Sequence, residues 1–74
     1  PVDLVVTDLV MPQMGGIALI QSVRRDFPSV KLIALSAFPD ELTDARRIGA
    51  DWVEAKPFSP RRLCNAIDRL LQAA

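Results

Sequence analysis

The sequence predicts an α/β domain in which parallel strands alternate with helices. Three short apolar runs, of the continuous kind found in parallel sheets, are each followed by a stretch with apolar residues three or four positions apart. Proline or glycine residues separate the runs from the helical stretches. Because 74 residues suffice for one small domain at most, we interpret residues 1–74 as a single unit of three β–α pairs.

The first β–α pair consists of a strand over residues 1–8 and a helix over residues 17–27. The strand is a continuous apolar run, and the loop that follows contains one proline and two glycines. Pro28 ends the helix, and Arg24 and Arg25 fall on its polar, solvated side. The apolar face of this helix consists of Ile17, Ile20, Val23 and Phe27.

The second pair begins with a strand over residues 30–35, which Ser36 follows directly. Asp40 is a plausible cap for a short helix that extends to about residue 48. Gly49 fits the C-terminal end of that helix, where glycine is favoured.

The third pair begins with a strand over residues 50–55, which leads into Lys56 and Pro57. Ser59 then caps the last helix, and Pro60 stands at its first position, which is a strong start signal. The apolar face of this helix consists of Leu63, Ile67, Leu70 and Leu71.

The composition excludes several kinds of function. The formal net charge is zero, which argues against binding nucleic acid through a broadly basic surface. The chain has no histidine and one cysteine, so it lacks an imidazole base, an intrachain disulfide and a cysteine-rich zinc site. We interpret that cysteine, Cys64, as a small apolar filler. No apolar stretch is long enough to cross a bilayer and nothing resembles a signal peptide, so we expect a cytoplasmic protein without a membrane partner.

Polar residues of three chemical types stand at the carboxyl ends of the three predicted strands. Asp8 carries a carboxylate, Ser36 a hydroxyl and Lys56 an ammonium group. In parallel α/β sheets, ligands bind at this edge, so the three side chains are expected to converge on one small site. Together they suit a place where a phosphoryl group is accepted and held.

These residues, in this order and spacing, resemble the receiver domain of two-component response regulators. The resemblance extends over the whole chain and implies the (βα)3 portion of a doubly wound parallel sheet, the flavodoxin-like receiver fold. It rests on Thr7-Asp8 with Met11-Pro12 and Gly16, on Ser36-Ala37, on Gly49-Ala50-Asp51, and on Lys56-Pro57-Phe58.

The resemblance implies a role for each of the three polar residues. Asp8 would be the phosphoacceptor, attacking the phosphohistidine of a histidine kinase or phosphotransfer protein to form an acyl phosphate. Lys56 would neutralise the charge that develops on the phosphoryl oxygens. Ser36 would bond another phosphoryl oxygen once Asp8 is modified, and would draw its loop inward.

The resemblance also implies a cofactor, a switch position and a cis peptide bond. Magnesium would be held by Asp8, by the backbone carbonyl of Val10, and by acidic side chains near the end of the family's first strand. An aromatic switch residue is common three positions before the lysine, where this chain has Val53. The peptide bond between Lys56 and Pro57 is the candidate for the cis form.

The chain begins at Pro1, inside the first predicted strand, and so lacks the N-terminal strand, the acidic pair and the first helices of the family. We therefore expect an incomplete magnesium site in a truncated receiver domain. The strand that carries Asp8 would have an unpaired edge, which invites self-association. Val10 and Phe38 are expected to flank the phosphoryl site and to hinder an attacking water.

Two alternatives to a signalling receiver stay open at this point. A degenerate receiver fragment could act only as a protein-interaction module. A phosphatase with a nucleophilic aspartate also places Asp, Ser or Thr, and Lys at successive strand ends, but it needs a second Asp two residues after the first. Because Val10 stands there, nothing at that position can protonate a leaving group, and we expect a chain that is not an enzyme.

Overall fold

The predicted alternation of strands and helices is confirmed by the computed structural model of the chain, which describes residues 3–9 and 15–72. Within these residues, three strands alternate with three helices. In chain order they are β1 (Leu4–Asp8), α1 (Gly16–Asp26), β2 (Lys31–Ser36), α2 (Pro39–Ile48), β3 (Trp52–Ala55) and α3 (Pro60–Gln72).

The strands form one parallel sheet in the order β1-β2-β3, with β2 in the middle. In the register of β1 against β2, Asp8 lies opposite Leu35. In the register of β2 against β3, Ser36 lies opposite Ala55. The carboxyl ends of the strands therefore share one edge of the sheet, called the carboxyl edge below, and their beginnings share the amino edge.

Helices cover both faces of the sheet, as expected for the doubly wound class. On one face, α1 and α2 pack over a buried cluster, and on the other face α3 packs over a second cluster. The first cluster consists of Leu9, Ile20, Leu32, Ala34, Ala45 and Ala50. The second consists of Ile33, Leu35 and Ala66, with partly buried side chains such as Trp52, Leu63 and Ile67 packed against it.

The outward surface of α3 corrects two predictions. Leu71 is 44% exposed, whereas Ala66 is buried. At about 100° per residue, Leu71 lies about 80° around the helix from Leu63, which places it at the margin of the apolar stripe. Cys64 is exposed rather than an apolar filler, because it falls on the side of the helix away from the sheet. Among the described residues, no helix is both long enough and apolar enough to span a membrane.

The boundary of α2 differs from the prediction for a local reason. The residue before the helix is Phe38, whose extended backbone (φ −111°, ψ 116°) makes it the cap, so the assignment of Asp40 as the cap was wrong. Pro39 takes the first position of the helix, where its fixed φ is favourable, and Asp40 lies inside the first turn. Gly49 ends the helix at φ 129°, a conformation that glycine adopts without strain.

Arg24 was expected on the solvated side of α1, and this was wrong. Its guanidinium group reaches from α1 to the amino edge of the sheet, where it donates to the carbonyl of Gly49 at 2.8 Å and to that of Val30 at 2.5 Å. It also donates to Asp51 Oδ2 at 2.5 Å, and the same oxygen accepts the Leu32 N–H at 2.8 Å. One side chain therefore ties α1 to both β2 and the turn before β3.

Candidate functional site

Asp8 and Lys56 meet at the carboxyl edge of the sheet. Asp8 is the last residue of β1, and Lys56 follows the end of β3, so β2 lies between them. The Lys56 N–H donates to the Ser36 carbonyl at 2.9 Å, while its side chain extends past the end of β2 and donates from Nζ to Asp8 Oδ2. The two side chains are 38% and 36% exposed, so the ion pair is accessible from outside.

Ser36 lies on the same edge, but its hydroxyl has other partners. The residue is completely buried at the end of β2. Its Oγ donates to Glu41 Oε1 at 2.5 Å and accepts the Phe38 N–H at 3.0 Å. The structure thus brings Asp8 and Lys56 into contact and directs the Ser36 hydroxyl towards the first turn of α2.

Glu41 is a site residue that the sequence analysis missed. It stands three residues after the cap of α2, and at that position a glutamate side chain reaches back towards the residues that precede the helix. The three-residue spacing between the cap and Glu41 was the sequence signal that could have identified this contact. The assignment of Asp40 as the cap placed Glu41 next to the cap instead, where no such contact is expected.

The N-terminus of α1 is packed directly on the end of β1. The Gly16 N–H donates to the Leu9 carbonyl at 3.2 Å. A Cβ at Gly16 would lie 2.5 Å from Leu9 Cα and 2.9 Å from the Asp8 carbonyl oxygen, both backbone atoms, which leaves no room for a side chain. Glycine at this position therefore lets the helix hold the backbone that carries the Asp8 carboxylate.

The remaining predicted site residues have these positions. The peptide bond between Lys56 and Pro57 is cis, as the resemblance implies. Val53 is partly buried and packs against the cluster under α1 and α2. Trp52 is also partly buried, and its Nε1 donates to the buried Glu54 at 2.9 Å. Val10 lies outside the described residues.

The described residues supply only part of a magnesium site. Asp8 offers carboxylate oxygens, which are the ligands that magnesium prefers. Over residues 3–9 and 15–72, however, no group of three or more acidic, histidine or cysteine side chains is gathered where a metal ion could be held.

The sequence of the chain is similar to that of a known protein family and of its members. The sequence model described as the response regulator receiver domain matches residues 1–68. A probable transcriptional regulator, ycf27 of Cyanidium caldarium, is 37% identical over 73 residues, which are 96% of this chain and 29% of the relative. The chemotaxis protein CheY of Thermotoga maritima is 33% identical over 70 residues, which are 92% of this chain and 58% of the relative.

Solved structures show the same fold. The receiver domain of NtrX from Brucella abortus superposes with a TM-score of 0.90 at 25% identity, covering 97% of this chain and 63% of that chain. The chain thus spans less than a third of the first relative and less than two thirds of the other two.

Proposed function

This chain belongs to the response regulator receiver domain family, and we propose that within that family it acts as a phosphoacceptor through Asp8. The observation that carries the proposal is the contact between Lys56 Nζ and the Asp8 carboxylate at the carboxyl edge of the sheet. A nucleophile and a fixed positive charge at one accessible point are what phosphoryl transfer to a carboxylate requires. Receiver domains are in general signalling modules rather than enzymes.

The proposed chemistry is a transfer between two nucleophiles. One carboxylate oxygen of Asp8 attacks the phosphorus of a phosphohistidine, a P–O bond forms, and the P–N bond breaks. The electron pair of the broken bond stays on the imidazole nitrogen, so the products are an acyl phosphate and free histidine. The Lys56 ammonium group loses its carboxylate partner during the transfer and turns to a phosphoryl oxygen, which keeps the charge balanced.

We propose a histidine kinase or phosphotransfer protein of the cytoplasm as the donor. A magnesium ion would be held by the Asp8 carboxylate and by the backbone carbonyl of Val10. When bound, the ion offsets charge on the transferring group. Asp8 is one carboxylate only, and the described residues gather no further acidic side chains around it for a metal ion.

The output step of the proposal involves Ser36 and Val53. Ser36 ends β2, and its hydroxyl lies next to the start of α2, so a move of this hydroxyl towards the phosphoryl group also acts on α2. Val53 packs under the same helix, where a movement of Ser36 and α2 changes its packing.

Self-association through β1 is a further part of the proposal. In the described part of the chain, β1 pairs on one side with β2, and its other edge has no strand against it. Val6, in the middle of this strand, is exposed. Unpaired strand edges of this kind pair readily with another chain. Light scattering of the isolated 74-residue chain over a range of concentrations tests this: a mass that rises with concentration supports pairing, and a constant monomer mass contradicts it.

The phosphoacceptor proposal is tested with acetyl phosphate and magnesium, using the natural polypeptide that carries this chain. Intact mass spectrometry should show one added phosphoryl group, and Asp8→Asn should abolish it, because an amide is a poor nucleophile. Asp44→Asn, on the exposed side of α2, is the matched control and should be phosphorylated like the wild type. If the wild type takes up no phosphoryl group from acetyl phosphate or from a kinase, the alternative of a receiver that acts only as an interaction module stands instead.

A further inference from the structure

We infer that Glu41 is a positioning residue that holds the Ser36 hydroxyl in its resting orientation and competes with the phosphoryl group for it. The inference rests on the proposed phosphoacceptor function and adds to it the contact that phosphorylation has to break. Ser36 Oγ donates to Glu41 Oε1 at 2.5 Å, a length typical of a hydroxyl that donates to a carboxylate.

The competition follows from the number of protons available. A serine hydroxyl carries one hydrogen, so Ser36 can donate either to Glu41 or to a phosphoryl oxygen on Asp8, but not to both. One of its lone pairs is also engaged, because Oγ accepts the Phe38 N–H at 3.0 Å. Since the residue is completely buried, no bulk water is at hand to replace a lost partner. A phosphoryl group on Asp8 therefore gains the Ser36 proton only by displacing Glu41.

The same contact couples the site to α2. Glu41 belongs to the first turn of this helix, and Ser36 is the last residue of β2, so their hydrogen bond ties the start of α2 to the end of a central strand. When Ser36 turns to the phosphoryl group, this tie is lost and the start of α2 is released. Breaking the hydrogen bond between Ser36 and Glu41 uses part of the free energy with which the phosphoryl group binds Ser36. Glu41 thus sets the energy that is needed to move α2.

A matched control residue stands in the same turn of α2. Asp40 carries the same charge and benefits equally from the helix N-terminus, but its side chain is exposed. Removing Asp40 therefore changes the charge and the helix dipole interaction by as much as removing Glu41. If removing Glu41 has an effect that removing Asp40 does not have, that effect comes from the contact between Glu41 and Ser36.

The test uses beryllofluoride, an analogue of the phosphoryl group, with magnesium and the natural polypeptide that carries this chain. Calorimetry gives its Kd for the wild type and for variants. Glu41→Ala should bind about tenfold more tightly, because a hydrogen bond to a charged group no longer opposes binding. Glu41→Gln keeps the shape and a weaker, neutral acceptor, and should bind about threefold more tightly. Asp40→Ala should stay within about twofold of the wild type.

A double-mutant cycle separates the shared proton from a simple charge effect. In a Ser36→Ala background, Glu41→Ala should leave the Kd unchanged, because the contested hydroxyl is gone. If Glu41→Ala tightens binding equally with and without Ser36, repulsion by the Glu41 charge explains the effect and the inference is wrong. The isosteric Glu41→Gln variant keeps the test valid if the alanine variant fails to fold.

The two proposals fail in different ways. Binding by the wild type with an unchanged Kd in both Glu41 variants overturns the role of Glu41 and leaves Asp8 as the phosphoacceptor. A wild type that binds no beryllofluoride and accepts no phosphoryl group overturns the proposed function, and the role of Glu41 with it.

Discussion

Within the described residues, an ion pair between a basic and an acidic side chain lies at each edge of the sheet, and the two pairs differ in what surrounds them. At the amino edge, Arg24 and Asp51 are 21% and 31% exposed, and backbone groups of Gly49, Val30 and Leu32 share in the contact. At the carboxyl edge, Lys56 and Asp8 are 36% and 38% exposed, and Lys56 reaches Asp8 through a flexible side chain.

The two ion pairs differ in how firmly the basic side chain is held, which distinguishes a structural pair from one that can exchange partners. Backbone acceptors fix the guanidinium group of Arg24 in one place, because each lost contact would leave a partly buried carbonyl without a donor. The ammonium group of Lys56 can rotate and change partners, which a pair that must admit a phosphoryl group requires. The amino edge is therefore expected to stabilise the fold, and the carboxyl edge is where we propose that the chemistry takes place.

The largest expected effect concerns the lysine at the carboxyl edge. Lys56→Ala should slow phosphorylation of Asp8 by about 100-fold, because the positive charge that offsets the developing charge on the phosphoryl oxygens is removed. Lys31→Ala, at the amino end of β2, is the matched control and should leave the rate unchanged. Rates are measured with acetyl phosphate and intact mass spectrometry. Equal rates in Lys56→Ala and the wild type would remove the functional distinction between the two edges.

The second prediction concerns stability and the amino edge. Arg24→Ala should lower the free energy of unfolding by about 2–4 kcal/mol, because several acceptors and Asp51 lose their donor together. Arg24→Lys should recover only part of this, since an ammonium group cannot bridge the same set of acceptors. Urea unfolding measures the difference. A loss as small as that of a surface substitution would show that the network is not structural.

Arg25→Ala is the control for Arg24. Arg25 donates to its neighbour Asp26 on the exposed side of α1, and this hydrogen bond lowers the pKa of the Asp26 carboxyl. A lowered pKa means that any contribution to stability is present above the ordinary pKa of aspartate and is lost as the pH falls through the lowered value. Because both side chains are exposed, we expect no measurable change in the unfolding midpoint near neutral pH.

A third prediction tests how the carboxyl edge is held in place. Gly16→Ala should cost about 1–3 kcal/mol of unfolding free energy and should also slow phosphorylation, because the new methyl group would displace the backbone of Asp8 and Leu9. Gly15→Ala should have little effect, since its Cβ would meet no atom within 4 Å and its backbone is extended. If both substitutions behave alike, the contact of α1 with β1 does not position Asp8.

The smallest expected effect concerns the lifetime of the phosphoryl group. Phe38 is 57% exposed just after Ser36, and we predict that it hinders the approach of an attacking water, as we predict for Val10. Phe38→Ser should shorten the lifetime of the acyl phosphate a few-fold, measured as loss of the phosphoryl mass with time. Phe27→Ser is the control, because Phe27 lies at the end of α1 and is 62% exposed, so its expected place on the apolar face of that helix was wrong. An unchanged lifetime in Phe38→Ser would contradict the prediction.

The sequence predicted the features that depend on local pattern. The alternation of apolar runs with helical periodicity gave the order of the elements, and Pro60 marked the start of α3 correctly. The convergence of Asp8 and Lys56 followed from the rule that parallel strands end at one edge. These predictions succeed because each needs only neighbouring residues or the direction of the strands.

The features that the sequence analysis missed depend on neighbours in space. A helical pattern places Arg24 on the polar side of α1, but it does not say that the turn at Gly49 lies within reach of that side. The contact of Glu41 with Ser36 likewise depends on where α2 starts, and α2 starts two residues earlier than expected, with Pro39 at its first position. Both residues are charged groups with partners on other elements, which no periodicity within one element reveals.

The most direct test of the central claim is to find which carboxylate carries the phosphoryl group. The chain has nine acidic residues, so uptake of one phosphoryl group does not by itself identify Asp8. Reduction with borohydride after phosphorylation converts an acyl phosphate of aspartate to homoserine, and peptide mass spectrometry locates it. We predict homoserine at position 8 alone. Homoserine at any other aspartate, with none at position 8, would contradict the assignment of the carboxyl edge as the functional site.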